Sequence, residues 1–271
     1  MCMHKRWLKG GFTVLGAIFF STLGIFASDR LQGIEGGIQN IAGVKGSVVC
    51  DKNSVPMNGQ NGIICVDMYE ESPSKECPVV NPTAILHSEK NVSTQGCVAV
   101  SEKGVTPWSY ISLPQAQRAC AGAGKRLPTS KEWYAIALGT NPDLCIIQKD
   151  TASITGTEMC KSSIGAFDVV GNVWEWIDVS VNGYDFDDRL LPPQGYVTSV
   201  DASGIAITSG TSTDELYGKD YIWTKPDGVF GMIRGGFYGS GEDAGLYTIN
   251  ASVATSFASQ GVGFRCVEDV L

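Results

Sequence analysis

Gly165-Ala-Phe-Asp-Val-Val-Gly171-Asn172-Val173-Trp174-Glu175-Trp176 is the stretch on which the fold turns. Gly171 and Asn172 suit a turn with backbone angles that most residues avoid, because glycine and asparagine enter the left-handed region at little cost. Directly after them, Trp174 and Trp176 stand two apart, so in an extended segment both rings face the same way. The pattern predicts a strained turn feeding a strand with two large rings on one side.

Two helix starts lie upstream. Ser112-Leu-Pro-Gln115 is a capping box with Pro114 early in the first turn, and Ala116, Ala119 and Cys120 share a face. That helix should stop near Gly122 and Gly124. Thr129-Ser-Lys-Glu132 is a second capping box, with Trp133, Ile136 and Ala137 as the buried stripe before Gly139. Earlier still, the alternating run after Gly62 (IICVDMYE) predicts the first strand of the domain. Beyond Ala166 the sequence offers short strands and long loops rich in Gly, Ser, Thr and Asp, with no further helix. Gly235-Gly236 would let a strand bend or bring two backbones close. Arg126, Arg234 and Arg265 could each hold buried carbonyls or carboxylates through forked donors.

Thirty-three glycines, nine tyrosines and six tryptophans in 271 residues describe a turn-rich α+β domain with aromatic support. Hydrophobic content of 43% and charged content of 18% exclude a disordered tail. Net charge is −8, and setting aside Lys5, Arg6 and Lys9 leaves roughly −11 on the rest. Such a surface repels phosphate backbones, and no basic patch with interleaved aromatics is present, so nucleic acid is not an expected partner.

Those three cations precede an apolar run from Gly10 to Ala27 (GGFTVLGAIFFSTLGIFA), so residues 1–28 read as a signal peptide or signal anchor. Lys9 to Leu15 also resembles a type IV prepilin leader, with Gly16 where that family expects glutamate. Residues 29–61 read as a juxtamembrane piece, with Leu31, Ile34, Ile38 and Ile41 spaced along it, followed by a linker. The domain proper is expected over 62–271. Apart from Cys2 the chain has eight cysteines, none in a C-x-x-C pair, and its only histidines are His4 and His87. An even set without zinc-site spacing implies about four disulfides and an extracytoplasmic location, membrane-anchored or secreted.

Four segments in order carry a resemblance: Cys120 followed by Gly124-Lys-Arg-Leu-Pro-Thr129 and Glu132-Trp133; the tryptophan block; Ile233-Arg-Gly-Gly236; and Gly263-Phe-Arg-Cys266. Together they resemble the formylglycine-generating-enzyme (sulfatase-modifying factor) family over roughly residues 62–271. The resemblance implies a C-type-lectin-like α+β fold, with two short helices on small antiparallel sheets, loop-rich and stapled by disulfides. Family topology implies that Cys120 pairs with Cys266. Cys145–Cys160, and pairings among Cys50, Cys65, Cys77 and Cys97, are supposed for the rest.

The resemblance also implies ligands. Family members hold calcium at positions matching Asp168, the carbonyls of Gly171 and Val173, and Glu175, a hard-oxygen set suited to that ion. The competing reading has Asp168 capping a turn and Glu175 paired with a buried arginine. The family's oxidase needs two cysteines shortly after Arg-Gly-Gly to hold copper(I). Here those positions are Ser240 and Gly245, so neither copper nor oxidase chemistry is expected.

A different branch fits residues 234–266 better. They resemble the variable region of target proteins of diversity-generating retroelements, in which a fixed frame alternates with residues from randomised adenine-rich codons. The frame here is Gly241, Ala244-Gly-Leu246, Ile249, Ala254 and Gly263-Phe-Arg265. The candidate exchangeable, ligand-binding positions are Phe237, Tyr238, Gly239, Ser240, Asp243, Thr248, Ser252, Val253, Phe257, Ser259 and Gly261, and none is a residue those codons cannot reach. The expectation is a non-catalytic, surface-exposed binding protein for a protein or glycan on another cell, a phage or a host. The alternatives are a formylglycine-generating-type oxidase or sulfatase-maturation accessory enzyme, and a pilus-associated or structural surface protein.

Overall fold

A computed structural model describes residues 49–157 and 159–270. Residues 1–28, expected as a signal peptide or signal anchor, and residues 29–48 of the expected juxtamembrane piece lie outside the described residues. In chain order the elements are β1 (Ser54–Asn58), β2 (Ile63–Asp67), β3 (Glu71–Pro73), α1 (Ile85–Val92), β4 (Ala99–Ser101), α2 (Leu113–Gly122) and α3 (Ser130–Ala137). There follow β5 (Trp174–Asn182), β6 (Asp185–Phe186), β7 (Arg189–Leu190), β8 (Gly195–Val200), β9 (Ala206–Gly210) and β10 (Tyr221–Trp223). The chain closes with β11 (Val229–Arg234), β12 (Ile249–Val253), β13 (Val262–Phe264) and β14 (Val267–Asp269).

Both expected helices form where their capping boxes lie. Ser112 caps α2 with Gln115 reaching back, and Thr129 caps α3 with Glu132 doing the same. The expected first strand is β2, but β1 precedes it and pairs with it antiparallel, Pro56 opposite Cys65. A third helix, α1, has no side-chain cap, leaves Leu86 74% exposed and buries Ser88 and Asn91. Its buried face is polar because Ser88 Oγ accepts from Trp108 Nε1 at 2.9 Å and the Asn91 amide bonds both backbone groups of Val79. Apolar periodicity gives no signal for such a helix.

The largest sheet has nine strands and is mixed. Its order is β7-β6-β5-β11-β12-β10-β8-β9, with β13 joined to β5; β10–β12 and β13–β5 are parallel. One of its faces packs on Trp133, Ile177, Val197, Ile222, Met232 and Ile249. The second core cluster gathers Trp108, Leu113, Trp174, Trp176, Ile233 and Phe264. Two smaller sheets, β1-β2-β14 and β3-β4, complete the α+β architecture.

Four disulfides join Cys50–Cys65, Cys77–Cys97, Cys120–Cys266 and Cys145–Cys160. The third spans 146 residues of sequence and ties α2 to the last strands. Such bonds form and persist in an oxidising compartment. Among the described residues, no helix is long and apolar enough to cross a membrane.

Candidate functional site

The tryptophan block is held by a buried acidic residue that sequence reading had placed only in a strand. Gly171 and Asn172 take φ of 77° and 53°, and a Cβ at Gly171 would meet the Ile146 carbonyl oxygen at 2.5 Å. The Asn172 amide donates to Glu70 Oε2 at 2.5 Å, and the Val173 N–H donates to Glu70 Oε1 at 3.1 Å. Burial, then the charges of Asp168 and Glu175, pushes the Glu70 carboxyl well above its ordinary range.

Arg265 lies fully buried among these carboxylates. Its guanidinium donates to Glu175 Oε1 at 2.8 Å, to the Asp67 carbonyl at 2.7 Å and to the Phe167 carbonyl at 2.6 Å. Glu175 Oε2 accepts from Trp133 Nε1 at 2.8 Å and from Arg265 Nε at 3.4 Å. Asp168, at φ 56°, accepts the Gly156 and Thr157 N–H groups on Oδ2 at 2.6 and 3.1 Å, and its Oδ1 has no hydrogen-bond partner. Of the set expected to hold calcium, Glu175 thus spends both oxygens on other donors, and its counter-charge is already Arg265. Asp168 and Glu175 therefore do not fit calcium as a two-carboxylate pair. Of the four carboxylate oxygens of Asp168 and Glu175, Asp168 Oδ1 alone has no hydrogen-bond partner.

Arg-Gly-Gly behaves as a close-approach device. Arg234 is buried and donates to the carbonyls of Ser130, Gly204 and Leu246 at 3.0, 3.0 and 2.8 Å, with its guanidinium 4.5 Å from the Trp133 ring centroid. Gly235 has φ 89°, and a Cβ there would sit 2.5 Å from the Val169 carbonyl oxygen. At the first of the two family cysteine positions, Ser240 Oγ accepts the Phe237 N–H at 3.0 Å. At the second, Gly245, the Asp220 carboxylate fills the space a side chain would need. Every described cysteine is in a disulfide, so among the described residues there is no thiolate to bind copper(I).

The exchangeable candidates divide by exposure. Gly239 and Phe257 are exposed, the latter 40%, and Phe237, Ser240, Asp243, Ser252, Val253 and Ser259 are half-buried. Three are not surface residues, and the expectation that they contact a ligand is corrected. Tyr238 is 4% exposed, because its backbone bonds Asn172 and Lys149 while its ring stacks edge-on at 4.9 Å from Phe237. Thr248 is buried with its hydroxyl donating to the Asp243 carbonyl. Gly261 is buried beneath Phe237, whose ring would lie 2.7 Å from a Cβ there, and its carbonyl accepts the Trp174 N–H. Among the remaining positions, Phe237 packs over Gly239 and over the buried Gly261, whose N–H donates to Ser259 Oγ at 3.3 Å.

Fold and site define a class: a loop-rich, disulfide-stapled α+β domain braced by buried arginines and tryptophans. Residues 146–270 match the family described as "Sulfatase-modifying factor enzyme 1-like domain". A curated relative, "Inactive C-alpha-formylglycine-generating enzyme 2" of Bos taurus, is 27% identical over 129 residues, which is 38% of this chain and 43% of that protein. The chain thus spans less than half of that relative. Among solved structures, partial likeness is found to the "Major Tropism Determinant P3c Variant" (16% identity, TM-score 0.43, 76% of this chain and 50% of that one). A similar partial likeness is found to "Treponema denticola variable protein 1" (11% identity, TM-score 0.40, 79% of this chain and 90% of that one).

Proposed function

We propose that this chain is a non-catalytic, surface-exposed ligand-binding protein whose C-terminal segment 234–266 is diversified and recognises a protein or glycan on another cell, a phage or a host. The observation that carries this reading is the contrast within that segment. Its ends, Arg234 and Arg265, are fully buried and multiply hydrogen-bonded, while Gly239, Asp243, Ser252, Phe257 and Ser259 between them reach solvent. A fixed frame with exposed aromatic and small polar positions suits recognition, since rigid rings give contact area at low entropic cost and small polar groups adapt. Export agrees with the four disulfides, and anchoring through the N-terminal apolar run is part of the proposal.

The test is binding of the fluorescently labelled full chain to whole bacterial cells, host cells and phage particles. The proposal expects saturable binding to one class, weakened at least about tenfold when Phe237, Asp243 and Phe257 are changed together to alanine with the melting point kept. Unchanged binding by that variant overturns it. Diversification is read separately from genomic DNA: a near-copy of the coding sequence for 234–266 beside a reverse transcriptase, differing only at adenines, is expected.

A further inference from the structure

Beyond segment 234–266 the large sheet carries a second surface suited to recognition. Val197, Ile222, Ile249 and Ala251 are fully buried in the first core cluster. Strand alternation therefore turns Tyr196, Tyr221, Trp223, Asn250 and Ser252 to the opposite face of β8, β10 and β12. On that face four rings follow one another: Tyr196, Tyr221, Trp223 and Trp174. Their successive centroids are 5.1, 4.6 and 5.9 Å apart, with interplanar angles of 85°, 45° and 84°. Tyr196, Tyr221 and Trp223 are partly exposed, while Trp174, in the second core cluster, is buried and braces Trp223 from beneath.

The polar side chains of β8, β9 and β12 are neutral hydrogen-bonding ones. Thr198 and Thr208 hydroxyls meet at 2.8 Å, and Ser252 Oγ donates to Asn250 Oδ1 at 2.8 Å. No residue of β8, β9, β10 or β12 is charged, on a chain whose net charge is −8. The strip also runs into the exchangeable positions, because Trp223 pairs with Asn250 on β12, the strand that holds Ser252 and Val253.

We propose that this aromatic strip is a docking platform for a neutral oligosaccharide, a constant anchor beside the exchangeable face. The inference rests on the recognition role proposed above and names its ligand class. A pyranose ring offers an apolar C–H face to an aromatic ring, and its hydroxyls exchange hydrogen bonds with Thr, Ser and Asn side chains. An acidic or phosphorylated ligand would find no cation among these strands. The rings themselves lie outside 234–266, whereas Asn250 and Ser252 beside them lie within it.

The full chain is titrated with a set of neutral oligosaccharides built from hexoses and N-acetylhexosamines, read by intrinsic tryptophan fluorescence. At least one should bind saturably, and Trp223→Ala and Tyr221→Ser should each weaken it at least about tenfold below the melting point of each folded variant. Trp223→Tyr, which keeps a ring, should retain most of the binding. No response to any sugar, saturation by protein ligands alone, or wild-type binding by both ring-removing variants overturns the platform. The cell-binding assay separates the two proposals. Cell binding that survives Trp223→Ala and Tyr221→Ser, but is lost in the Phe237/Asp243/Phe257 variant, refutes the platform and leaves the recognition face standing. The reverse pattern refutes the face alone.

Discussion

The Asp220 carboxylate lies across the Cα of Gly245: a Cβ there would meet Oδ1 at 2.0 Å and Oδ2 at 2.4 Å. Oδ2 is fixed in that place by the Tyr247 N–H at 2.6 Å. The second cysteine position of the family's oxidase is therefore closed sterically as well as by sequence.

Restoring the two cysteines alone should then fail. We expect Ser240→Cys combined with Gly245→Cys to lose about 1–3 kcal/mol from overpacking and to gain no copper(I) affinity in a chelator competition. Adding Asp220→Ala should recover stability. Tight copper binding by the double variant with Asp220 intact would refute the steric account.

Burial raises the Asp220 carboxyl to about 7, from an ordinary 3.8. Between those values the folded chain holds a proton that the unfolded chain has released. Stability is therefore greatest below the lower value and falls as pH climbs to the upper one. Glu70, Glu71, Asp168 and Glu175, all raised by burial, act in the same sense. The melting point should fall from about pH 5 to about pH 7.5, and Asp220→Asn should remove part of that slope, at most about 4 kcal/mol. An identical slope in the variant would assign it to the other carboxylates.

Arg265 supplies the counter-charge at the position where calcium was expected. Arg265→Met leaves Glu175, Glu70 and Asp168 buried without it and should cost about 3–5 kcal/mol by chemical denaturation. EDTA should move the wild-type melting point by less than about 2 °C. A larger drop, reversed by calcium, would place an ion at Asp168 and reverse this reading.

The local devices were legible: both capping boxes, the left-handed Gly171-Asn172 turn, and the close approach at Gly235. Each is written in adjacent residues whose chemistry has few other uses. Helix α1 was not legible, because Ser88 and Asn91 are buried by distant partners at Trp108 and Val79. Tyr238, Thr248 and Gly261 sit in a segment that reads as surface, and only Asn172, Lys149, Asp243 and Phe237 decide that they are inside. Tyr196, Tyr221 and Trp223 gave no signal because long loops separate them from Trp174, and the strand order β12-β10-β8 alone aligns them. Glu70 was read as the end of a strand, and its grip on Asn172 across 102 positions left no trace in the sequence.

Both borders of segment 234–266 are clamped: Arg234 by the carbonyls of Ser130, Gly204 and Leu246, Arg265 by the Glu175 carboxylate, with the Cys120–Cys266 crosslink beside it. Between the clamps Tyr238, Thr248 and Gly261 belong to the buried frame, while Gly239, Asp243 and Phe257 stand outside it. Under the proposed role, a lineage that samples poor solutions at Gly239, Asp243 or Phe257 would lose only a particular attachment, while the molecule that bears them still matures intact.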